Sequence, residues 1–296
     1  MRYHPQTAVK TICGLFGKTR QAWYKQQWSS DKLALRDAIV IEQVRQVRQQ
    51  MPRLGTRKLH YLISDGLKEH NIQIGRDKLF DILAINGLLV RRRKRRRAVT
   101  TDANHPFHKY PNLAKELQPQ RANELWVSDI TYLRLKEGFC YLSLVTDAYS
   151  RKIVGYCLYP TLQYQGTLQA LQMALQSLPK KHKRLVHHSD RGLQYCCSAY
   201  VTLLERKHIA ISMTENGDPY ENALAERING ILKSEFGLDK TFQNYQQAGE
   251  AVTTCIDIYN NNRPHSSCDY LTPQNAHRQQ GILKARWKKK EVNMVT

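Results

Sequence analysis

Residues 187–236 read HHSDRGLQYCCSAYVTLLERKHIAISMTENGDPYENALAERINGILKSEF. The run KRLVHHSD leading into this stretch has the length and composition of a strand, and it ends in Asp190. CSAYVTLLERKHI has helical spacing, AISMT is strand-like, and residues 220–236 return to a helical period. Asp190 therefore closes a strand and Glu226 lies inside a helix, with 35 residues between them.

Working upstream, LWVSDITYLRL, FCYLSLVTDAYS and KIVGYCLYP are three β-rich runs, the first two joined by the hairpin signal KEG. QGTLQALQMALQSL follows as an amphipathic helix with Leu168, Leu171, Leu175 and Leu178 on one side. Downstream, residues 242–263 form a further helix. Periodicity alone gives an α/β class. The order of three antiparallel strands, helix, strand, helix, strand, helix is that of the RNase H-like fold.

Asp129 interrupts the first of these strands between Val127 and Ile130. A lone carboxylate in a strand that should be largely buried is costly. Asp129, Asp190 and Glu226 are read as one acidic cluster, because metal-assisted phosphoryl transfer needs hard oxygen ligands for Mg²⁺ or Mn²⁺. Two such ions activate the attacking oxygen and stabilise the leaving one. Asp147, beside Arg151, competes for the second position, and Glu221 and Glu235 compete for the third. Glu226 is preferred because it shares a helical face with Asn222, Gly230 and Lys233, small or polar residues where a metal and DNA must approach.

The chain has 296 residues and a net charge of +21, which calls for a polyanionic partner. The excess is uneven: +15 over residues 1–120, +2 over 121–280 and +4 over 281–296. No run of 18 apolar residues exists, so no membrane span is expected, nor is a secretory leader. The seven cysteines contain no C-x-x-C, and the expectation is reduced thiols in a cytoplasmic protein without structural zinc.

Residues 7–29 read as a short helix, a glycine turn and a second helix, which fits either half of a helix-turn-helix or a hairpin that packs on something else. From Asp31, a plausible N-cap, Leu33, Ile39, Ile41, Val44 and Val47 form a stripe. Two further helices follow, opened by Arg57 and Lys58 and by Arg76 and Lys78, where side chains could meet phosphates. Arg91, Arg92, Arg93, Lys94, Arg95, Arg96 and Arg97 are consecutive cations that suit a phosphate backbone. The proline-containing stretch to about 120 reads as a linker.

WVSDITYL, VTDAYSRKIVGY, HHSDRGLQY, NGDPYENALAERINGILKSEF and YNNNRPHSSCDYLTPQNA, in this order, resemble the integrase-type core of bacterial insertion-sequence transposases. The resemblance is to the insertion-sequence-3 family, specifically its second-frame product (OrfB), and it runs over nearly the whole chain. It implies an RNase H-like (retroviral integrase-type) α/β core preceded by an all-α helix-turn-helix region. It implies an Asp-Asp-Glu triad at Asp129, Asp190 and Glu226, two Mg²⁺ or Mn²⁺ ions, and hydrolysis at an element end followed by strand transfer. Lys233 matches a DNA-approaching position, and Tyr195, Asn216, Pro219 and Asn222 match positions that shape the site. Double-stranded DNA is the expected partner, with a homo-oligomer on DNA and a first-frame (OrfA) protein or fusion. The expected organisation is an N-terminal helical segment 1–30, a DNA-binding domain 31–90, a basic linker 91–120, a catalytic core 121–280 and a basic tail 281–296. Competing readings are a nuclease that only cuts, a non-catalytic or domesticated DNA-binding protein, and an RNA-binding protein resting on charge alone.

Neutralising residues 91–97 should weaken DNA binding on every sequence. Each lost phosphate contact should flatten the fall of log K with log salt by about 0.9. Binding titrations across salt measure this, and an unchanged slope would remove the run from the contact set.

Overall fold

The computed structural model describes residues 8–90, 106–179, 184–215 and 222–286. The chain divides into two compact units: Met1–Gln49 with Leu59–Leu89, and Gln50–Lys58 with Val90–Thr296. Arg91 to Arg97 lie outside the described residues.

The first unit is helical: α1 (Val9–Leu15), α2 (Arg20–Gln50), α3 (Thr56–Glu69) and α4 (Arg76–Ile85). α2 runs unbroken, so Asp31 is interior and caps nothing. No glycine or proline falls between residues 20 and 50, and Ser29, Ser30 and Asp31 alone do not interrupt a helix that continues on both sides. Burial in α2 comes from Val40 and Val44, whereas Leu33, placed in the apolar stripe by its spacing, is exposed. Leu59, Ile63 and Leu67 recur every four residues on α3, and Leu79, Ile82 and Leu83 complete the core from α4. Arg48 donates to the Leu88 carbonyl at 2.7 Å and closes the end of the unit.

The second unit has an RNase H-like core. β1 (Leu125–Leu135), β2 (Phe139–Asp147) and β3 (Ile153–Tyr159) are followed by α5 (Tyr164–Ser177) and β4 (Val186–Ser189). Then come α6 (Leu193–Cys196), α7 (Ser198–Arg206), β5 (Ala210–Met213), α8 (Ala223–Phe236), β6 (Thr241–Phe242), α9 (Tyr245–Asn261) and α10 (Pro273–Ala276). The sheet order is β3-β2-β1-β4-β5, with β6 also paired to β1. β1–β2 and β2–β3 are antiparallel, whereas β1–β4 and β4–β5 are parallel. The KEG hairpin is as the sequence predicts: Gly138 takes φ +85° and accepts from Leu135 at 3.0 Å.

Alternation along the strands divides the core between two faces. Trp126, Val145, Val154 and Ile211 pack under α5 and α7 with Leu171, Tyr200 and Leu204. Leu125, Val127 and Val186 pack on the other face with Ala148 and with Ala225 of α8. No described helix is long and apolar enough to cross a membrane.

β3 and α5 approach closely at Gly155, where an added Cβ would overlap the Ala170 carbonyl oxygen and lie 2.9 Å from Ala174 Cβ. Gly155→Ala is expected to destabilise the core by about 3 kcal/mol or more, since backbone cannot step aside as a side chain can. Gly249→Ala on α9, where a Cβ meets open space, should instead be neutral or stabilising by up to about 1 kcal/mol. Chemical denaturation of both variants tests the contrast.

Candidate active site

Strand parity and register bring the two aspartates together. Asp129 shares the α8-facing side of β1 with Leu125 and Val127. In the parallel β1–β4 ladder Val127 pairs with His188. The same register carried two residues further brings Asp129 beside Asp190, just past the end of β4.

α8 crosses this edge and is pinned to it twice. Asn222, at its N-cap, donates Nδ2 to the Ser128 carbonyl at 3.0 Å. Asn229 donates Nδ2 to Asp129 Oδ2 at 2.8 Å. Residues 222, 226 and 229 are spaced by four and three, so Glu226 occupies the same helical face between the two pins. Asp190 is shaped locally: the Gly192 amide donates to its Oδ1 at 3.0 Å, and a Cβ at Gly192 would sit 3.0 Å from that oxygen.

The electrostatics agree with this geometry. Burial, then the Asp190 charge and more weakly that of Glu226, push the Asp129 carboxyl up to about 7, against the pull of the Asn229 and Ile130 hydrogen bonds. Beneath the aspartates, His187 Nε2 lies 2.8 Å from Ser128 Oγ and 2.9 Å from Tyr200 Oη. Burial, with His188 beside it, lowers His187 to about 3, so it is neutral and supplies no positive charge near neutral pH. Tyr195 packs edge-on to Tyr200 at 5.4 Å. Burial first, then Tyr200, Asp190 and Asp129, hold its phenol well above the usual range.

Among the described residues no three His, Cys, Asp or Glu side chains close into a ready-made metal-binding group. Glu226 is exposed while Asp129 is partly enclosed. The donor set nevertheless has the chemistry a divalent cation needs, namely hard carboxylate oxygens, one of them poorly solvated. Tyr195 Oη, Asn222 Oδ1 and Asn229 Oδ1 are buried with no hydrogen-bond partner among the described residues. Such orphans are rare, and these belong to residues that border the acid pair. Water molecules carried by a cation at Asp129 and Asp190 would suit them.

The other predicted residues separate clearly. Lys233 places its ammonium 4.3 Å from the Tyr132 ring centroid, and burial lowers its pKa against the attraction of Asp129. Arg57, Arg76 and Lys78 are exposed, Arg76 on its neighbour Asp77 at 2.8 Å. Lys58 is held by Glu235 at 2.9 Å. Glu235, one rival for the third position, is occupied by that pair and by Arg263. Asp147 is fully buried and accepts from the Asn123 amide at 2.7 Å and from Ser150 Oγ at 2.6 Å. The Arg151 amide donates to the Asp147 backbone carbonyl at 2.9 Å, but its guanidinium, expected to pair with the Asp147 carboxylate, donates to the Ala148 carbonyl and to Ser267 Oγ. Glu221, Asn216 and Pro219 lie outside the described residues. Sequence reasoning missed Asn229, although its spacing of three from Glu226 was the available signal.

Fold and acid face together define an integrase-core protein. Residues 119–219 and 207–273 each match the integrase core domain family. The chain is 33% identical over 267 residues to the insertion element IS600 uncharacterized 31 kDa protein of Shigella sonnei, covering 88% of this chain and 96% of that relative. It is 29% identical to the transposase for insertion sequence element IS629 of Shigella sonnei, over 76% of this chain and 73% of the relative. It is 27% identical to transposase InsF for insertion sequence IS3A of Escherichia coli K12, over 92% and 95%. Among solved structures, the HTLV-2 integrase catalytic core domain in complex with magnesium aligns at 20% identity and a TM-score of 0.44, over 54% of this chain and 99% of that one. The chain belongs to the insertion-sequence-3 family of transposases and carries their integrase core domain.

The raised Asp129 carboxyl has a pH consequence. The folded protein keeps a proton below about 7 that the unfolded chain releases near 3.8. Asp129 therefore costs stability progressively as pH rises through that window and by a constant amount above it. In metal-free buffer, Asp129→Asn should raise the unfolding midpoint at pH 8 and leave it nearly unchanged at pH 4, by about 2–4 °C per kcal/mol relieved. Thermal unfolding with chelator present measures this, and equal shifts at both pH values would contradict it.

Proposed function

We propose that this transposase cuts and joins DNA by metal-dependent phosphoryl transfer through Asp129, Asp190 and Glu226. The observation that carries the reading is the convergence of β1, β4 and α8, with Asn229 bonded to Asp129 one helical turn from Glu226. When bound, Mg²⁺ or Mn²⁺ supplies Lewis acidity to the attacking and leaving oxygens.

The chain's own residues do the rest. Asp129 and Asp190 offer oxygen ligands from the rigid sheet, and Glu226 offers a third from a helix that reaches solvent, where DNA enters. Asn229 fixes one oxygen of Asp129 and leaves the other to the Ile130 amide and the site. Releasing its proton readies the Asp129 carboxyl for a cation. Lys233, resting on Tyr132 two turns beyond Glu226, contributes positive charge against phosphate. Arg57 and the run Arg91–Arg97 are assigned to the duplex backbone. Water and a 3′-hydroxyl serve in turn as nucleophiles, so no side chain becomes covalently attached to DNA. Joining two ends calls for more than one copy of the chain, and a first-frame partner is assigned the reading of the terminal repeats, with the work done on DNA in the cytoplasm.

The test is a reaction on labelled DNA carrying the element's own end, with Mg²⁺ and then Mn²⁺, comparing wild type, Glu226→Gln and Asn229→Ala. Cleavage and joining are expected in the wild type, none in Glu226→Gln, and a 10–100-fold higher cation concentration for half-maximal activity in Asn229→Ala (about the usual cost of losing a residue that orients a ligand). Near-normal cleavage by Glu226→Gln would remove Glu226 from the triad.

A further inference from the structure

Glu235 lies nine residues after Glu226 on α8, on the opposite side of the helix. Its carboxylate accepts three charge-assisted hydrogen bonds from two cations. Oε2 accepts from Arg263 Nε at 2.8 Å, while Oε1 accepts from Arg263 Nη2 at 2.8 Å and from Lys58 Nζ at 2.9 Å. Its backbone carbonyl accepts from the Arg53 amide at 3.0 Å. Arg263 is 1% exposed. Its remaining nitrogen, Nη1, lies 2.7 Å from His265 Nε2, and its guanidinium faces the Tyr259 ring. Burial, then Arg263 and Lys58, hold His265 well below its usual range, so Nε2 accepts from the guanidinium.

Residues 50–58 run from the last residue of α2 through the first turn of α3, yet they belong to the compact unit of the catalytic core. Met51 and Leu54 are buried, the Arg53 amide donates to the Glu235 backbone carbonyl, and Lys58 donates to the Glu235 carboxylate. The carboxylate thus joins three stretches of chain: the 50–58 segment, the last turn of α8 and the exit of α9. An exposed ion pair would mean little. This one encloses an arginine that cannot lose its charge, so losing the carboxylate strands a buried cation.

We propose that Glu235 is a positioning residue and that residues 50–58 form a strap, fastened by Lys58, that holds α8 in the register where Asn222, Glu226 and Asn229 meet β1. Lys58 is then a structural lysine and not a phosphate contact, contrary to its assignment from sequence. The part of this inference that concerns the acid site rests on the proposed function; the strap itself does not.

The experiment uses the full chain and three variants: Lys58→Met, Lys58→Arg and Glu235→Gln. Lys58→Met keeps the aliphatic stem and should fold even where Glu235→Gln does not. Two quantities are read: amide hydrogen exchange at Arg53 and along the last turn of α8, and Mn²⁺ affinity by titration. Lys58→Met should speed exchange at Arg53 at least about tenfold and weaken Mn²⁺ binding several-fold. Lys58→Arg should restore both, and Glu235→Gln, where it folds, should exceed Lys58→Met in both. The salt slope of DNA binding should not change in Lys58→Met. Unchanged Arg53 exchange in Lys58→Met, or a salt slope lower by about 0.9, would overturn the strap. Faster exchange with unchanged Mn²⁺ affinity would overturn the positioning role. A wild type that binds no Mn²⁺ would overturn the triad reading, while the exchange data would still decide the strap.

Discussion

The hydrogen bond from Asn229 to Asp129 is the constraint from which the rest follows. A carboxylate on a central strand repels its acidic neighbour and loses solvation, so the folded protein must hold it against its own preference. Asn229 does so from α8, and the geometry that lets it reach β1 also fixes where Glu226 can stand. The Asn222 bond to the Ser128 carbonyl repeats the constraint one residue earlier on the strand. One helix is therefore oriented by two amides, and the third acid follows as a consequence.

The sheet beneath supports this arrangement through the division of its faces. His187, Tyr195 and Tyr200 fill the side away from α8 with polar atoms that are neutral near pH 7. No positive charge from that layer offsets the aspartates, so their mutual repulsion is not relieved from beneath. Positive charge is instead held beside and behind the site. Lys233 lies over Tyr132, and Arg263 and Lys58 converge on Glu235 at the far end of α8. The same helix thus carries an exposed acid at one end and an ion-paired, part-buried one at the other.

Much of this was legible in the sequence, for physical reasons. Alternation in LWVSDITYL put Asp129 on the face of Leu125 and Val127, and the strand-then-helix reading of KRLVHHSD and residues 220–236 put Asp190 and Glu226 at a strand end and on a helix. What was not legible depended on pairing at long range. Glu235 differs from Glu226 only in which partners lie across from it, and those partners, Lys58 and Arg263, are 177 and 28 residues away. A cation at a helix start, such as Lys58, is ambiguous until its neighbour is known. α2 ran past Asp31 because capping residues end a helix only where the backbone has reason to leave it. Asp147 is held by Ser150 and the Asn123 amide, an arrangement that is tertiary and could not be read from its place at the end of a strand.

The most direct test of the central claim is anomalous diffraction from crystals of the protein soaked in Mn²⁺. The account predicts a peak bounded by Asp129 and Asp190, with Glu226 turned toward it, and loss of that peak in Asp129→Asn. Manganese bound elsewhere with the acid pair empty, or an undiminished peak in the variant, would contradict it.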